Sequence, residues 1–386
     1  MMQIMEGSHA VAEAVRLIRP EVVAAYPITP QTHIVERLAE MVADGMMDSA
    51  YITVDSEFSA LSCCLGSSAT GSRVYSSTSS QGLILMAEVC FNVAGMRLPI
   101  IMSIANRALG APLSIWNDQQ DSISLRDSGW FQLYAEDAQE LTDLHFIAYK
   151  AAEDHRVLLP GFVCFDGFIL SHTYEPVDIP SQEAIDAFLP PFKPALKLDA
   201  KDPVSMGMYA TPDYYMEFRY EIDRAMDHAR DVLASAGAEF GEQFGRDYTS
   251  PVEEYRLDGA DTAIIAMGSV CGTVKDAIDE MRSEGRSVGL LKIRSFRPFP
   301  AKEIAKALEG VSAVAVLDKN LSIGSAAKGA VGLEVKDALW KSGIDVYSYV
   351  IGLGGRDIRK KDIAAVAALA GKGEGDMFYG LRKELV

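Results

Sequence analysis

The stretch Val22–Gln31 reads "VVAAYPITPQ" and joins a run of small apolar residues to a Pro-Ile-Thr-Pro turn. Because Pro27 cannot donate a hydrogen bond to a sheet ladder, we expect a strand that stops at about Tyr26. Pro30 suits the first position of a helix, which makes Thr29 the expected N-cap residue. The stretch therefore predicts a strand followed directly by a helix, the repeating unit of an α/β fold.

Short apolar runs alternate with helical patterns along the rest of the chain. The first series of predicted strands is "EVVAAYPI", "AYITVD", "RVYSSTSS", "PIIMSIA" and "VLLPGFVCFDG". A second series begins at Thr262 with "TAIIAMG", "SVGLLKIR", "AVAVLD" and "DVYSYVIGL". Such alternation is typical of parallel sheets covered by helices. We therefore expect the fold class α/β, with two doubly wound parallel-sheet domains.

The length of the chain, 386 residues, exceeds that of one average domain. We predict a first domain over residues 1–240, a linker over 241–259 and a second domain over 260–386. The segment 171–212 contains seven prolines and is too long for an ordinary loop of a compact domain. We expect it to form an arm that lies over a neighbouring surface.

The charge balance excludes several classes of partner. The chain has 36 basic and 54 acidic residues, a net charge of −18, which repels nucleic acid and anionic lipid. Its most apolar stretch, Gly82–Met96, carries Glu88 and is too short to span a bilayer, so it predicts a buried helix instead. The first residues show no secretory signal. These features together predict a cytoplasmic protein that binds neither nucleic acid nor membrane.

Metal-ligand spacings are missing from the cysteines and histidines. The five cysteines form no C-x-x-C pair and the six histidines are scattered, so we expect no metal centre and no iron-sulfur cluster in this chain. Asp118 and Asp121 in "NDQQD" resemble a metal pair. We favour instead an N-cap followed by a carboxylate in the first helical turn.

Three polar or charged residues follow predicted strands. Thr29 follows "EVVAAYPI", Glu57 follows "AYITVD" in a predicted first helical turn, and Arg107 follows "PIIMSIA". Each residue taken alone has an ordinary explanation as a cap, a helix-dipole charge or a surface charge. Ligands of open α/β sheets collect at the carboxyl ends of strands, so the three side chains together could line one pocket.

Several long strings in the sequence resemble a known family. They are "AAYPITPQT", "VDSEFSA", "TSSQGLILMAEVCFNVAG", "NRALGAPLSIWNDQQDSISLRDSGW", "FDGFILSH", "IRSFRPFP" and "GLGGRDI", spread from about Gly7 to Asp357. These strings resemble the alpha subunit of multi-subunit pyruvate:ferredoxin oxidoreductases, also called pyruvate synthases, of the 2-oxoacid:ferredoxin oxidoreductase superfamily. The resemblance implies a domain that binds the pyrimidine of thiamine diphosphate, followed by a transketolase C-terminal-like domain.

The resemblance also implies roles for the three strand-end residues. Thr29 and Arg107 are expected to bind the 2-oxoacid, and Glu57 is expected to be the catalytic and cofactor-binding residue that contacts the aminopyrimidine. Thiamine catalysis needs C2 of the thiazolium deprotonated, and a carboxylate against N1′ favours the imino tautomer that removes this proton. A guanidinium is well matched to the carboxylate of the substrate. Ser8 is a departure, since relatives commonly show Asn at this position.

Parts of the expected machinery are missing from the sequence. No G-D-G motif with a downstream Asn is present to hold magnesium and diphosphate. We therefore expect a beta subunit that binds the diphosphate end, and gamma and delta subunits that carry iron-sulfur clusters. Coenzyme A is expected as a substrate. Because ferredoxins are commonly acidic, ferredoxin is expected to dock on other chains.

The sequence is compatible with three other functions. The nearest is the alpha subunit of a branched-chain 2-oxoacid:ferredoxin oxidoreductase. A non-catalytic scaffold subunit is a second, although a scaffold needs none of Thr29, Glu57 and Arg107. A nicotinamide-dependent dehydrogenase is a third, and "GLGGRDI" lacks the glycine spacing that dinucleotide binding requires.

Overall fold

The computed structural model describes residues 2–386 and consists of alternating strands and helices. The strands are β1 Met2–Glu6, β2 Val22–Ala25, β3 Ala50–Thr53, β4 Val74–Thr78, β5 Ile101–Asn106, β6 Phe131–Tyr134, β7 Gly161–Asp166, β8 Tyr174–Asp178, β9 Val252–Tyr255, β10 Thr262–Ala266, β11 Val288–Ile293, β12 Ser295–Arg297, β13 Ala313–Asp318, β14 Asp345–Val350 and β15 Met377–Phe378. The helices are α1 Gly7–Ile18, α2 Thr32–Ala43, α3 Glu57–Ala69, α4 Ser80–Leu85, α5 Ala87–Gly95, α6 Gln120–Ser124, α7 Ala138–Ala152, α8 Gln182–Phe188, α9 Tyr215–Phe244, α10 Val270–Ser283, α11 Ala301–Ala307, α12 Ala330–Ala338 and α13 Lys360–Ala370. Of the helices in residues 2–386, none combines the length and apolar composition that a bilayer crossing requires.

The first large sheet has the strand order β12-β6-β7-β5-β4-β2-β3. All of its strands run parallel except β12, which pairs antiparallel with β6. The carboxyl ends of β2, β3, β4 and β5 therefore meet at one edge. Because β12 comes from the second half of the chain, this sheet also joins the two halves.

The second large sheet has the order β15-β14-β13-β10-β11-β9 and is parallel except for β9. The α/β fold class with two parallel-sheet units is thus confirmed. Strand β9 and the end of α9 lie in the predicted linker, residues 241–259. One buried apolar cluster continues from the first sheet into the second, from Cys64 and Val89 to Leu291 and Val314.

The turn after β2 differs from the prediction. Helix α2 begins at Thr32, and its cap residue Gln31 makes no side-chain capping bond, so the expectation that Thr29 caps a helix starting at Pro30 is wrong. The Gln31 amide donates to the carbonyl of Ile28 at 2.9 Å, which places a tight turn between strand and helix. The Thr29–Pro30 peptide bond is cis. Thr29 therefore lies in the turn, and its side chain does not cap helix α2.

The predicted single buried helix over Gly82–Met96 is also wrong. The structure divides it into α4 and α5 and buries only one side of each helix. Apolar side chains remain exposed on the other side: Ile84 is 37%, Leu85 51% and Phe91 43% exposed. The segment is apolar on most sides, but the core contacts only one face of it. Together with Phe58 of the adjoining α3, these three residues form what we call the outer apolar face.

The proline-rich arm, residues 171–212, lies on the first sheet's own domain. Its strand β8 pairs antiparallel with β1, and α8 buries Ile185 and Phe188 in the core. Farther along, the Leu198 amide donates to the carbonyl of Ala69 at the end of α3. The arm is thus anchored by backbone hydrogen bonds and apolar contacts within the same chain.

A buried ion network joins the two halves of the chain. Lys292 Nζ lies 2.8 Å from Glu136, 2.9 Å from Glu140 and 3.1 Å from Glu253. Arg294 binds the same Glu140 and Glu253. Although burial opposes it, Lys292 lowers the pKa of Glu253 from 4.5 to about 2. The stabilisation from Glu253 is therefore present above pH 4.5 and is lost as the pH falls towards 2.

We expect Lys292→Met to lower the free energy of unfolding by about 3–5 kcal/mol, because it removes the cation shared by Glu136, Glu140 and Glu253 and leaves this buried acidic cluster only partly neutralised, by Arg294 and Lys275. Urea denaturation of the full chain measures this loss. Lys360→Met is the matched control, since its ion pair with Glu280 is exposed and should contribute less than about 0.5 kcal/mol. Equal losses in the two variants would contradict the role given to the network.

Candidate functional site

The three strand-end residues lie along one edge of the first sheet. Thr29 follows β2, Glu57 begins α3 after β3, and Arg107 follows β5. Strand β4 lies between β2 and β5 and contributes Thr78 to the same edge, a residue that the sequence analysis did not select. Its position at the end of a central strand, ahead of the glycine in "TSSQG", is a sequence signal for this residue.

Arg107 and Thr29 are in direct contact. Arg107 is 7% exposed, and its Nη1 donates to the Thr29 carbonyl at 2.9 Å while its Nε donates to the Ser114 carbonyl at 3.0 Å. Burial lowers the pKa of the guanidinium from its usual value, and the charge of Asp121 partly offsets this effect. Among residues 2–386 no ion pair neutralises Arg107, and no hydrogen bond uses its Nη2. The guanidinium therefore retains a donor group for an anionic ligand.

Asp121 holds the Arg107 backbone in place. Its Oδ2 accepts from the amides of Ser80 at 2.9 Å and Arg107 at 3.0 Å, and its Oδ1 accepts from Asn106 Nδ2 at 2.7 Å and the Ser122 amide at 2.8 Å. Burial raises the pKa of Asp121 to about 7, and these four donors oppose the rise. Asp121 is thus a positioning residue that links the ends of β4 and β5.

The preferred interpretation of the "NDQQD" pair is confirmed for Asp121 and wrong for Asp118 as the N-cap. Asp121 lies in the first turn of α6, as predicted. Asp118 Oδ1 accepts from the Gln120 amide at 3.0 Å, although the N-cap position itself belongs to Gln119. Asp118 Oδ2 accepts from the amide of Gly354 at 3.0 Å, so this carboxylate also connects the two halves of the chain.

Glu57 is the first residue of α3, whose N-cap Ser56 accepts from the Ser59 amide at 3.2 Å. Its side chain is buried, with 8% exposed. Among residues 2–386 no donor or cation binds its carboxylate, and the neighbouring Thr78 Oγ1 is also buried without a partner. A Cβ at Gly82 would lie 2.6 Å from both Glu57 Oε1 and Thr78 Oγ1. Only glycine at this position leaves room for these two groups.

A cleft of about 510 Å³ opens between the two halves, and its lining does not include Thr29, Glu57, Thr78 or Arg107. Trp116 and Phe168 line one side, and Lys319 and Arg356 line the other. Lys319 Nζ also lies 2.9 Å from Asp166. Burial opposes the effect, but Lys319 lowers the pKa of this carboxyl below its usual value. The carboxyl ends of both sheets therefore border one concave surface.

The structure also brings together residues that sequence spacing did not connect. One ligand atom from each of Glu6, His33 and His172 lies within 4.8 Å of the others. The residues come from β1, α2 and the loop after β7, so they are distant in the sequence. No motif marks such a cluster in the sequence, because only the fold determines which of these positions meet.

Two family models match this chain. Residues 13–237 match the model described as pyruvate flavodoxin/ferredoxin oxidoreductase, thiamine diP-binding, and residues 260–363 match pyruvate:ferredoxin oxidoreductase core domain II.

Curated relatives match along the whole chain. "Pyruvate synthase subunit PorA" of Methanothermobacter thermautotrophicus is 50% identical over 100% of this chain and 99% of the relative, and that of Methanosarcina barkeri is 49% identical over 100% and 98%. "Ketoisovalerate oxidoreductase subunit VorA" of Pyrococcus horikoshii is 48% identical over 95% of this chain and 92% of the relative.

Solved structures share the fold. A 2-oxoglutarate:ferredoxin oxidoreductase from Magnetococcus marinus, with 2-oxoglutarate, coenzyme A and succinyl-CoA bound, superposes with a TM-score of 0.71 at 18% identity. The match covers 97% of this chain and 65% of that chain. A split-gene transketolase superposes with a TM-score of 0.59 at 12% identity, over 96% of this chain and 99% of that chain. At these identities the likeness establishes the fold alone.

We expect Gly82→Ala to lower the free energy of unfolding by about 1–3 kcal/mol, because the added methyl group must displace the Glu57 carboxylate or the Thr78 hydroxyl. The matched control is Gly66→Ala in α3, where a Cβ meets nothing within 4 Å. That control should gain up to about 1 kcal/mol from helix propensity. Urea denaturation compares the two variants, and a Gly82→Ala chain as stable as Gly66→Ala would contradict the close packing described.

Proposed function

Because this chain belongs to the pyruvate flavodoxin/ferredoxin oxidoreductase family, we propose that it is the alpha subunit of a pyruvate:ferredoxin oxidoreductase. The reaction converts pyruvate and coenzyme A to acetyl-CoA, carbon dioxide and a proton, and passes two electrons to ferredoxin. It is reversible, so the same enzyme acts as a pyruvate synthase. The family predicted from the sequence strings is confirmed by both family models and by the full-length relatives.

The observation that carries the proposal is a pair of opposite charges with no ionic partner at one sheet edge. Among residues 2–386, neither the Glu57 carboxylate nor the Arg107 guanidinium takes part in an ion pair, although both side chains are buried. Burying an unpaired charge is costly, so such groups are retained where a ligand supplies the partner. A scaffold would have no use for either charge.

The residues beside Glu57 fit the aminopyrimidine of thiamine diphosphate. The Thr78 hydroxyl is buried without a partner. It and the Glu57 carboxylate both adjoin Gly82, whose missing side chain leaves space. A flat heterocycle with ring nitrogens and an amino group would satisfy both polar groups. We therefore propose that Glu57 and Thr78 face the pyrimidine, with Glu57 against N1′. Thr78 is an addition to the site predicted from sequence.

Thiamine diphosphate, when bound, supplies the ring system that takes up the electron pair released by decarboxylation. The role of Glu57 is to hold the pyrimidine in the tautomer that serves as a base. Arg107 Nη2 binds the substrate carboxylate, since its other donors are held by the Thr29 and Ser114 carbonyls. The exposed Thr29 side chain donates from its hydroxyl to the same end of the substrate. Asp121 keeps Arg107 in position through its backbone.

The other half of the cofactor site is proposed to come from a beta subunit that binds the diphosphate and magnesium. The outer apolar face, formed by Phe58, Ile84, Leu85 and Phe91, suits such a partner because α3 carries both Glu57 and Phe58. Gamma and delta subunits would hold the iron-sulfur clusters and receive the electrons. With its net charge of −18, this chain would repel an acidic ferredoxin. We place the complex in the cytoplasm.

A second candidate substrate is a branched-chain 2-oxoacid. The VorA relative, 48% identical over 95% of this chain, is named a ketoisovalerate oxidoreductase subunit. The PorA relatives match this chain over its full length and favour pyruvate. To test the proposal, the native complex is purified, its other chains are sequenced, and pyruvate, ketoisovalerate and 2-oxoglutarate are assayed with ferredoxin and coenzyme A. Failure of pyruvate to support ferredoxin reduction would overturn the assignment.

We expect Glu57→Gln to lower turnover by about 10²–10⁴-fold in the reconstituted complex, because the amide cannot hold the pyrimidine tautomer as the carboxylate does. Assembly should be unchanged, since the substitution keeps the size of the side chain. Steady-state assays with gel filtration measure both properties. Glu242→Gln on the exposed side of α9 is the control, and near-normal activity of Glu57→Gln would remove the catalytic assignment.

For Arg107→Ala we expect the half-saturating pyruvate concentration to rise by about 10- to 150-fold. This range corresponds to the loss of one charge-assisted hydrogen bond of about 1.5–3 kcal/mol. Initial rates over a series of pyruvate concentrations measure the change, with the exposed Arg156→Ala as control. An unchanged half-saturating concentration would show that Arg107 does not bind the substrate.

A further inference from the structure

We propose that Glu6, His33 and His172 form a binding site for a divalent transition-metal ion such as Zn²⁺. One ligand atom of each residue lies within 4.8 Å of the other two. Two imidazoles and one carboxylate are ligands that Zn²⁺ and its neighbours in the first transition series prefer, whereas Mg²⁺ and Ca²⁺ prefer oxygen. This cluster lies outside the site built from Thr29, Glu57 and Arg107, and its test does not depend on the proposed function.

The backbone holds two of the three ligands in register. The Gly7 amide donates to the Thr173 carbonyl at 3.2 Å, and the Ser8 amide donates to the Ser171 carbonyl at 3.2 Å. A Cβ at Gly7 would lie 2.1 Å from the carbonyl oxygen of Leu170, so only glycine permits this approach. Glu6 and His172, next to these bonds, are therefore positioned by the fold before any ion binds.

The third ligand is already oriented towards the carboxylate. His33 Nδ1 lies 2.6 Å from Glu6 Oε1, and the His33 and His172 ring centroids are 4.6 Å apart. The hydrogen bond between Glu6 and His33 does not by itself explain why the His172 ring lies against this pair. A metal ion would replace the proton shared by Glu6 and His33. Tetrahedral Zn²⁺ with bonds of about 2.0–2.2 Å sets its ligand atoms about 3.3–3.6 Å apart, a spacing that small side-chain rotations can supply.

A further contact orients His172 as metal-binding histidines are commonly oriented. His172 Nδ1 lies 2.6 Å from Ser171 Oγ. With the proton on Nδ1, Ser171 Oγ accepts it and the lone pair on Nε2 remains for a metal, the usual arrangement around a ligating imidazole. The Phe168 ring packs against His172 at 5.0 Å between centroids. The His33 side chain is 41% exposed, which gives an ion a path from solvent.

An ion here would brace the turn that follows β2. His33 lies in the first turn of α2, three residues after Pro30. A Cβ at Gly167 would lie 2.6 Å from Pro30 Cγ, so the loop that ends in His172 is closely packed on this turn. The ion would connect β1, α2 and this loop, and thereby limit the motion of the backbone that carries Thr29. Its effect would be structural rather than catalytic.

The test titrates the full-length chain, freed of metal by chelation, with Co²⁺ and with Zn²⁺. Co²⁺ binding is followed by its visible ligand-field absorption, and Zn²⁺ binding by competition with a chromophoric chelator. We expect one ion per chain and a rise in melting temperature on binding. His33→Ala, His172→Ala and Glu6→Gln should each weaken binding by at least about 100-fold, and Ser171→Ala by about 10-fold.

Two histidine variants serve as controls. His155→Ala and His228→Ala remove histidines outside the cluster and should bind as the unaltered chain does. An excess of Mg²⁺ should not compete. Circular dichroism checks that each variant is folded. If Glu6→Gln does not fold, the test rests on His33→Ala, whose side chain is partly exposed. Absence of saturable binding at one ion per chain, or equal affinity in His33→Ala and His155→Ala, would overturn the proposal.

Discussion

The candidate site depends on the hydrogen bonds that the Asp121 carboxylate accepts. It is fully buried and accepts four N–H donors, among them the amides of Ser80 and Arg107. Each buried donor left without an acceptor would cost about 1–3 kcal/mol, so both backbone segments stay within hydrogen-bond distance of the carboxylate. Ser80 adopts a positive φ of 51°, a conformation that a serine rarely takes without such support. One residue thus fixes the end of β5 and the start of α4.

This constraint also positions the surroundings of Arg107 and Glu57, the two charged residues of the site. Fixing Arg107 at the end of β5 brings its guanidinium against the Thr29 carbonyl, and fixing Ser80 places Gly82 against Glu57. The ion network between the two halves of the chain has the opposite character, because Lys292 and Arg294 are each paired with glutamates. The buried charges of the ion network are therefore paired, whereas Glu57 after β3 and Arg107 after β5 have no ionic partner among residues 2–386. Under the proposed function, the cofactor and the substrate would supply the missing partners of these two charges.

Sequence reasoning succeeded where local pattern determines structure. Period and composition identified the parallel strands, and the position of Glu57 at a helix start follows from the serine cap before it. It failed for Thr29, because proline chemistry allows either a helix start or a turn, and the Gln31 to Ile28 hydrogen bond selects the turn. It also failed for Gly82–Met96, since a mostly apolar helix is fully buried only if other parts of the chain cover every side of it. Pairings such as β12 with β6 depend on chain topology and leave no local signal.

The exposed apolar residues and the incomplete cofactor site have one physical explanation under the proposed function. Phe58 directly follows Glu57 in α3, so a chain that covers the outer apolar face also approaches the start of this helix. Burial of apolar surface contributes about 25 cal/mol for each Å² removed from water, which gives the partner its affinity. The same contact would cover the small part of Glu57, 8%, that is still exposed in the single chain. Water exclusion strengthens every electrostatic interaction in the site. Assembly would then be a condition for catalysis, because the surface that binds the partner and the helix that presents the acid are the same element.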